Sequence, residues 1–204
     1  MIRGEVAKTE TLLPLGKRFE VVQKDAFVIL PNGDRERISR YGLSTGPAIS
    51  IVPYFRDSKT NEWRVILVSQ YRPMVNEVCL EAPGSLIEVD LSPEEQMVKT
   101  AKAETGVVIA QNCIRLVGAK WLADSFSDQK VWLGAVEVVV KDQESFEQSL
   151  SGRTDASGEY EVNEVELYSL EYLLRHLDVR MSYTLTSYQL LELGIYLDLL
   201  HFSK

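Results

Sequence analysis

A mixed α/β domain with an N-terminal antiparallel β appendage is the fold class that this sequence predicts, on three observations. Two strand-like segments flank Pro31-Asn32-Gly33-Asp34, a strong hairpin turn signal. From residue 47 onward, apolar strand-like runs alternate with helical patterns. Between them lies one helix with complete punctuation, opening at Ser92-Pro93 and stopping at Gly106. The organisation follows as an N-terminal β-sheet domain over residues 1–46 and a larger α/β domain over 47–204.

Each element has its own signal. Residues 18–30 and 35–43 are β-branched and aromatic enough to pair across the Asn-Gly turn. Residues 47–55 and 64–71 read as strands joined by a turn carrying Asp57, Ser58 and Asn61. A short strand over 76–82 runs into the Pro83-Gly84 turn. Ser92 then offers an N-cap, Pro93 fits the first helical position, and Glu94 and Glu95 complement the positive helix end. This helix is expected to reach Thr105, with Gly106 as its stop. Strands follow near 114–121 and 131–140, and then a polar loop over 149–161. A strand at 162–168 leads to a helix near 169–177. A final helix near 184–202 is read as amphipathic, with Glu192 and Asp198 on its polar face.

Composition narrows the function classes. The 45% hydrophobic and 25% charged fractions are those of an ordinary globular protein. The N-terminus lacks the apolar run of a secretory signal, and no stretch reaches membrane-spanning length, so the expectation is a cytoplasmic protein without a membrane partner. A formal charge of −8 argues against nucleic acid, whose phosphates call for clustered Lys and Arg. Cys79 and Cys113 are far apart in apolar contexts and read as two buried free thiols. The tryptophans Trp63, Trp121 and Trp132 read as core or interface residues. Residues 142–171 hold nine acidic residues against Arg153 alone, which fits either a solvated loop or the remnant of a cation site.

The most informative stretch is 81–107, EAPGSLIEVDLSPEEQMVKTAKAETGV. It resembles a Nudix box, whose signature is Gly-x5-Glu-x7-Arg-Glu-U-x-Glu-Glu-x-Gly-U, U being aliphatic. Anchored on Gly106, the signature puts Ser85 at its first Gly, Leu91 at its first Glu, Lys99 at its Arg and Thr100 at its second Glu. Ala103 and Glu104 fall on the Glu pair. The likeness extends beyond the box. Gln70-Tyr71-Arg72-Pro73 and the run Cys79 to Ile87 resemble the QFRP…ELPAGLI pattern of the ADP-ribose and sugar-nucleotide pyrophosphatase branch, and Ser127 to Val131 resembles its SDE-x-V segment. The resemblance covers residues 16 to 200, nearly the whole chain.

What this resemblance implies is a Nudix α/β/α sandwich, with an N-terminal sheet domain that builds a homodimer. It also implies magnesium-dependent hydrolysis of ADP-ribose or a related nucleotide sugar. The matched positions would be Arg72 near the phosphates, Glu81 supporting the ligand pocket, the Gly84 carbonyl and Glu104 toward metal, and Glu161 as the catalytic glutamate of the late acidic loop. Arg72 also reads simply as a strand-end surface arginine, and Glu104 as an ordinary helical glutamate. Arg18 and Ile38 are nearest to the positions where some members stack adenine between tryptophans, and neither offers an indole.

The chemistry is where the pattern breaks. Positions 100, 103 and 104 are three and four apart, so carboxylates there would share a helical face and could hold Mg²⁺ against a diphosphate. An Ala methyl cannot ligate a hard cation, and a Thr hydroxyl is a weak neutral ligand. One reading is therefore a pseudoenzyme, inactive or severely impaired, that binds a nucleotide-sugar ligand or a protein partner and uses no cofactor. The alternative is an active magnesium-dependent hydrolase with a rearranged metal site using Glu104 and Glu161, with Glu88, Asp90, Glu159 and Glu164 as further carboxylates. A third, RNA binding, is disfavoured by the acidic balance.

Overall fold

A computed structural model of the chain describes residues 3–16, 18–150, 163–176 and 184–200. Two compact units are present. Unit 1 comprises Met1–Pro47 and Lys120–Val131, and unit 2 comprises Ala48–Ala119 and Trp132–Lys204.

Unit 1 is built on an antiparallel sheet, β1 (Arg3–Leu15), β2 (Phe19–Ile29) and β3 (Arg35–Ser44), in that spatial order. The β2–β3 hairpin closes at Ile29↔Arg35, and Gly33 takes a φ of 89° inside the turn, a conformation that favours glycine. The strand β1, which sequence patterning did not indicate, is exposed along its whole length. It lacks the apolar alternation that betrays a half-buried strand, and two register shifts interrupt its pairing with β2. Asp25 ties the sheet together, accepting hydrogen bonds from Ser39, from Arg37 at 2.7 Å and from Gln23 at 3.2 Å. These donors hold its carboxyl down at about 2. Its side chain is hidden from water, yet in so thin a sheet it loses little solvation, and the hydrogen bonds dominate.

Segment 120–131 closes against β3. The Leu43 amide donates to the Phe126 carbonyl at 2.8 Å, and the Asp128 amide donates to the Leu43 carbonyl at 3.1 Å. Lys24 and Ser44 both reach the Asp128 carboxylate, at 2.7 and 2.9 Å. Burial opposes ionisation of Asp128, but these hydrogen bonds and the Lys24 charge together outweigh it and hold its carboxyl below the usual range. Gly42 permits the close approach, because a Cβ there would lie 2.8 Å from the Phe126 carbonyl oxygen.

Unit 2 is an α/β/α sandwich. Its sheet runs β10 (Asn163–Ser169), β5 (Trp63–Arg72), β4 (Ala48–Arg56), β9 (Lys130–Glu137), β8 (Arg115–Trp121), with β6 (Glu77–Glu81) also paired to β5 and β7 (Gly84–Leu86) to β4. Alternating residues of the central strands serve opposite faces. Ile49, Ile51, Phe55 and Ile66 pack with Met97 and Ala101 under α1 (Pro93–Thr100) and with Leu150 of α2 (Gln143–Leu150). Val52, Tyr54, Val65 and Leu67 pack with Leu170 and Leu173 of α3 (Leu170–Arg175) and with Leu190 and Leu193 of α4 (Thr184–Tyr196).

Several boundaries differ from the sequence expectation. The helix expected through Thr105 is α-helical only to Thr100 and continues as a π-helical turn, Ala101–Thr105, before Gly106 ends it at φ 75°. The α2 helix was not indicated, its apolar positions being few. The last helix stops at Tyr196, so Asp198, at φ 57°, lies past its end and not on a helical face. Only one of the two thiols is buried, since Cys113 is exposed at the end of a 3₁₀ turn, Gln111–Cys113. Trp121 is 57% exposed and is not a core residue. Among the described residues no helix is long and apolar enough to cross a membrane.

Candidate functional site

The stretch resembling the box folds as a loop and a helix in unit 2, and each part has a local cause. Ser92 caps α1: its hydroxyl accepts from the Glu95 amide, and the Glu95 carboxylate accepts from the Ser92 amide at 2.8 Å. That reciprocal pair holds the Glu95 carboxyl below its usual range. The preceding loop is fixed from the opposite face of the sheet. The Ala82 amide donates to the Thr186 hydroxyl at 3.1 Å, and the Ile51 amide donates to the Pro83 carbonyl at 2.9 Å. Gln189, fully buried, bridges Ser50 and the Gly134 carbonyl beneath it. At Gly84 a Cβ would meet the Ile49 carbonyl oxygen at 2.9 Å, so β7 can lie against β4 only with glycine there.

The predicted site residues fall into two groups. Arg72 and Glu81 form a bidentate pair, Nε to Oε1 at 2.9 Å and Nη2 to Oε2 at 2.6 Å. Glu81 is buried, while the Arg72 side chain is 41% exposed. The second group is Gly84 and Glu104, brought together by the Gly84 amide, which donates to Glu104 Oε2 at 3.3 Å. Glu161, with Glu159, lies outside the described residues.

Where the signature asks for further carboxylates, the side chains are neutral, and the one at position 100 is already engaged. Thr100 is buried, its hydroxyl 2.6 Å from that of Ser85. Gln96, also buried, donates to Ser85 at 2.9 Å and to Thr100 at 3.4 Å, and its carbonyl accepts from the Glu88 amide at 3.1 Å. Sequence reasoning missed Gln96. Its signal was present: an amide four residues before Thr100 on the buried face of the helix. Positions 100, 103 and 104 also do not share one environment, because Thr100 is buried, Ala103 is exposed and Glu104 lies between. Lys99, on the arginine position of the signature, pairs with Glu88 at 2.5 Å. Asp90 is exposed.

Among the described residues, Glu104 is the carboxylate that stands at a signature position, and it accepts from the Gly84 amide. Among the described residues, no three of His, Cys, Asp and Glu gather where they could hold a metal.

Comparison with known proteins gives the architecture its relatives. No protein-family model matches the chain. A stretch of 59 residues is 39% identical to ADP-sugar pyrophosphatase of Mus musculus, over 29% of this chain and 27% of that protein. The chain thus matches about a quarter of the curated relative. The crystal structure of an ADP compounds hydrolase superimposes with a TM-score of 0.68 at 18% identity, over 96% of this chain and 95% of that one. The chain has the Nudix fold, and its likeness is to the ADP-sugar pyrophosphatase branch. The Nudix scaffold elements all have physical causes in these residues: the capped helix, the glycine stop and the tight Gly84 crossing.

Proposed function

We propose that this protein is a catalytically silent or severely impaired Nudix-fold relative of the ADP-sugar hydrolases, acting as a ligand- or protein-binding module. The observation that carries the reading is the Ser85–Gln96–Thr100 cluster. It fills one carboxylate position with hydroxyl and amide groups that satisfy one another. Charge neutralisation dominates diphosphate cleavage, so a site whose described residues bring one engaged carboxylate to it lacks most of the rate enhancement. The Arg72–Glu81 pair supports binding of an anionic nucleotide sugar without turnover.

Association of two copies through unit 1 belongs to the same proposal. The fully exposed β1, with Val6, Leu12, Leu13 and Leu15 in water, supports a covering partner, and a second copy is the one we infer. A cytoplasmic setting completes it, in keeping with the free thiols of Cys79 and Cys113.

The test is release of AMP from ADP-ribose with Mg²⁺ or Mn²⁺, run beside the variant carrying Leu91→Glu, Thr100→Glu and Ala103→Glu. A silent parent that still binds ADP-ribose supports the reading. Parental turnover that Glu104→Gln abolishes would show a working metal site and end it.

A further inference from the structure

Unit 2 carries a group of aromatic rings flanked by two arginines, outside the stretch that resembles the box. Arg56 of β4 lies over the Trp63 ring at 4.8 Å, and Trp63 is its cross-strand neighbour on β5. The Trp63 ring meets the Tyr54 ring edge-on at 5.5 Å. Tyr54 and Arg56 are two apart on β4, so both point to the face that packs against α3 and α4. From that same side, Tyr196 of α4 receives Arg115 of β8 over its ring at 3.9 Å. Tyr54 joins the two halves. Burial, then Glu137 and Tyr196, push its hydroxyl up to about 12, against the opposing charge of Arg115. Arg56 and Arg115 are exposed, and Tyr196 is 53% exposed. Glu137 is exposed at the same end, yet among the described residues no carboxylate comes within salt-bridge distance of either arginine.

We propose that this face docks an acidic peptide segment of a partner protein, each arginine taking one carboxylate. A guanidinium stacked on a ring keeps its edge, and so its fork of N–H donors, free for a carboxylate. Arg56 is held before any partner arrives. Its Nε donates to Asn61 Oδ1 at 3.0 Å, and the Asn61 amide donates to the Asp57 carbonyl at 2.9 Å. Strand β8 stands two strands from β4, so the arginines are rooted about 10 Å apart. Carboxylates three residues apart on an extended peptide span the same distance, at about 3.3 Å per residue. Against a formal charge of −8, two arginines without carboxylate partners on one face direct an acidic segment there. Arginine, tyrosine and tryptophan are also the residue types enriched where binding energy concentrates. A nucleobase would need the ring faces that the arginines already cover, which favours carboxylates over RNA. The inference does not rest on the state of the box, so peptide titration and the AMP-release assay fail separately.

The experiment is calorimetric titration of the full chain with an acetylated peptide of repeating Glu-Ser-Ala. Its Gln-Ser-Ala counterpart and oligouridylate are the comparisons, and circular dichroism confirms that each variant is folded. The acidic peptide should bind about ten times more tightly than the Gln counterpart, and more weakly as salt rises. Arg56→Ala and Arg115→Ala should each weaken it about 3- to 10-fold. Arg56→Lys should not restore binding, because lysine keeps the charge without the planar fork. Tyr196→Leu should weaken binding too, since Arg115 loses the ring that orients it. Arg40→Ala, which removes an equal charge from unit 1, should leave the affinity unchanged. No saturable binding of the acidic peptide would overturn the proposal. So would equal binding of the Gln counterpart, full affinity in Arg56→Lys, or an equal loss in Arg40→Ala. Tighter binding of oligouridylate, lost in the same arginine variants, would replace the acidic peptide with RNA and overturn it as well.

Discussion

Thr100→Glu is the substitution that tests most directly whether the box region is built to do without a cation. Thr100 is only 3% exposed and is paired with Ser85 and Gln96, and among the described residues no cationic side chain joins that cluster. A glutamate there places a carboxylate in a buried site with at most two neutral donors. Full burial raises a carboxyl pKa by about 3–5 units, and hydrogen bonds from Ser85 and Gln96 return part of that, so a net rise of about 2 units is a fair expectation. At about 1.4 kcal/mol per unit, the cost at neutral pH is about 3 kcal/mol. For a chain of this length that lowers Tm by about 6–12 °C. The sign of the pH dependence follows from a raised folded-state pKa. The deficit is fully present above that value, and it shrinks as the pH falls toward the unfolded-state value of about 4.3. Calorimetric melts in chelator at pH 7.5 and pH 5 measure both. Adding Ala103→Glu and about 10 mM Mg²⁺ should return about 1.4 kcal/mol if the ion binds with a Kd near 1 mM. A Thr100→Glu protein as stable as its parent at pH 7.5 without metal would refute the reasoning, because the site would then accommodate an uncompensated carboxylate.

Other substitutions probe the surrounding geometry. Gly84→Ala, whose Cβ would press on the Ile49 carbonyl oxygen at 2.9 Å, should cost about 1–3 kcal/mol in a denaturant titration. Arg72→Ala leaves the buried Glu81 without its bidentate partner and should cost about 1–3 kcal/mol, less than for a fully buried pair because the arginine is partly in water; chemical denaturation reads it. Asp25 has its carboxyl depressed to about 2, so the stability it gives unit 1 is present above the unfolded-state value near 3.9. That stability is lost as the pH falls through about 2. Melting curves across that acid window should flatten in Asp25→Asn.

The sequence was most legible where a single residue type enforces a backbone feature. Ser92, Pro93 and Gly106 bounded the box helix correctly, and Asn32-Gly33 placed the hairpin. The central strands β4 and β5 were legible because their apolar runs admit little else. The edge strand β1 was not, because a strand with no buried face carries no period-2 pattern to read. The π-helical turn at Ala101–Thr105 was hidden too, since its residues suit an α-helix equally well. In the site, the pairing of Gly84 with Glu104 lay within reach of the box alignment. Of the Ser85–Gln96–Thr100 cluster, the helical spacing of Gln96 and Thr100 was legible, but Ser85 was not, because its place depends on how the loop folds onto the helix.

Glu104 is the one box carboxylate present, and the structure gives it a reason for being there other than metal. Carboxylates at positions 100, 103 and 104 would repel one another whenever no cation was bound. At about 5.5 Å and an effective dielectric constant near 20, the bare repulsion of one pair is about 3 kcal/mol, and solvent at the exposed position 103 screens its pairs to about 1 kcal/mol or less. Neutral residues at 100 and 103 remove that repulsion, and a binding module that takes no cation gains stability from them. Glu104 instead accepts the Gly84 amide and so closes the loop onto the helix. The two roles separate experimentally. Glu104→Gln retains an oxygen acceptor for the amide, so it should leave stability within about 0.5 kcal/mol of the parent, whereas Glu104→Ala should lose about 1 kcal/mol. A metal ligand behaves otherwise: Mg²⁺ would raise the melting temperature of the parent but not of Glu104→Gln. Equal Mg²⁺ response in parent and Glu104→Gln, with a drop only in Glu104→Ala, identifies Glu104 as a loop fastener. A Mg²⁺ stabilisation that Glu104→Gln removes would restore it to the metal site.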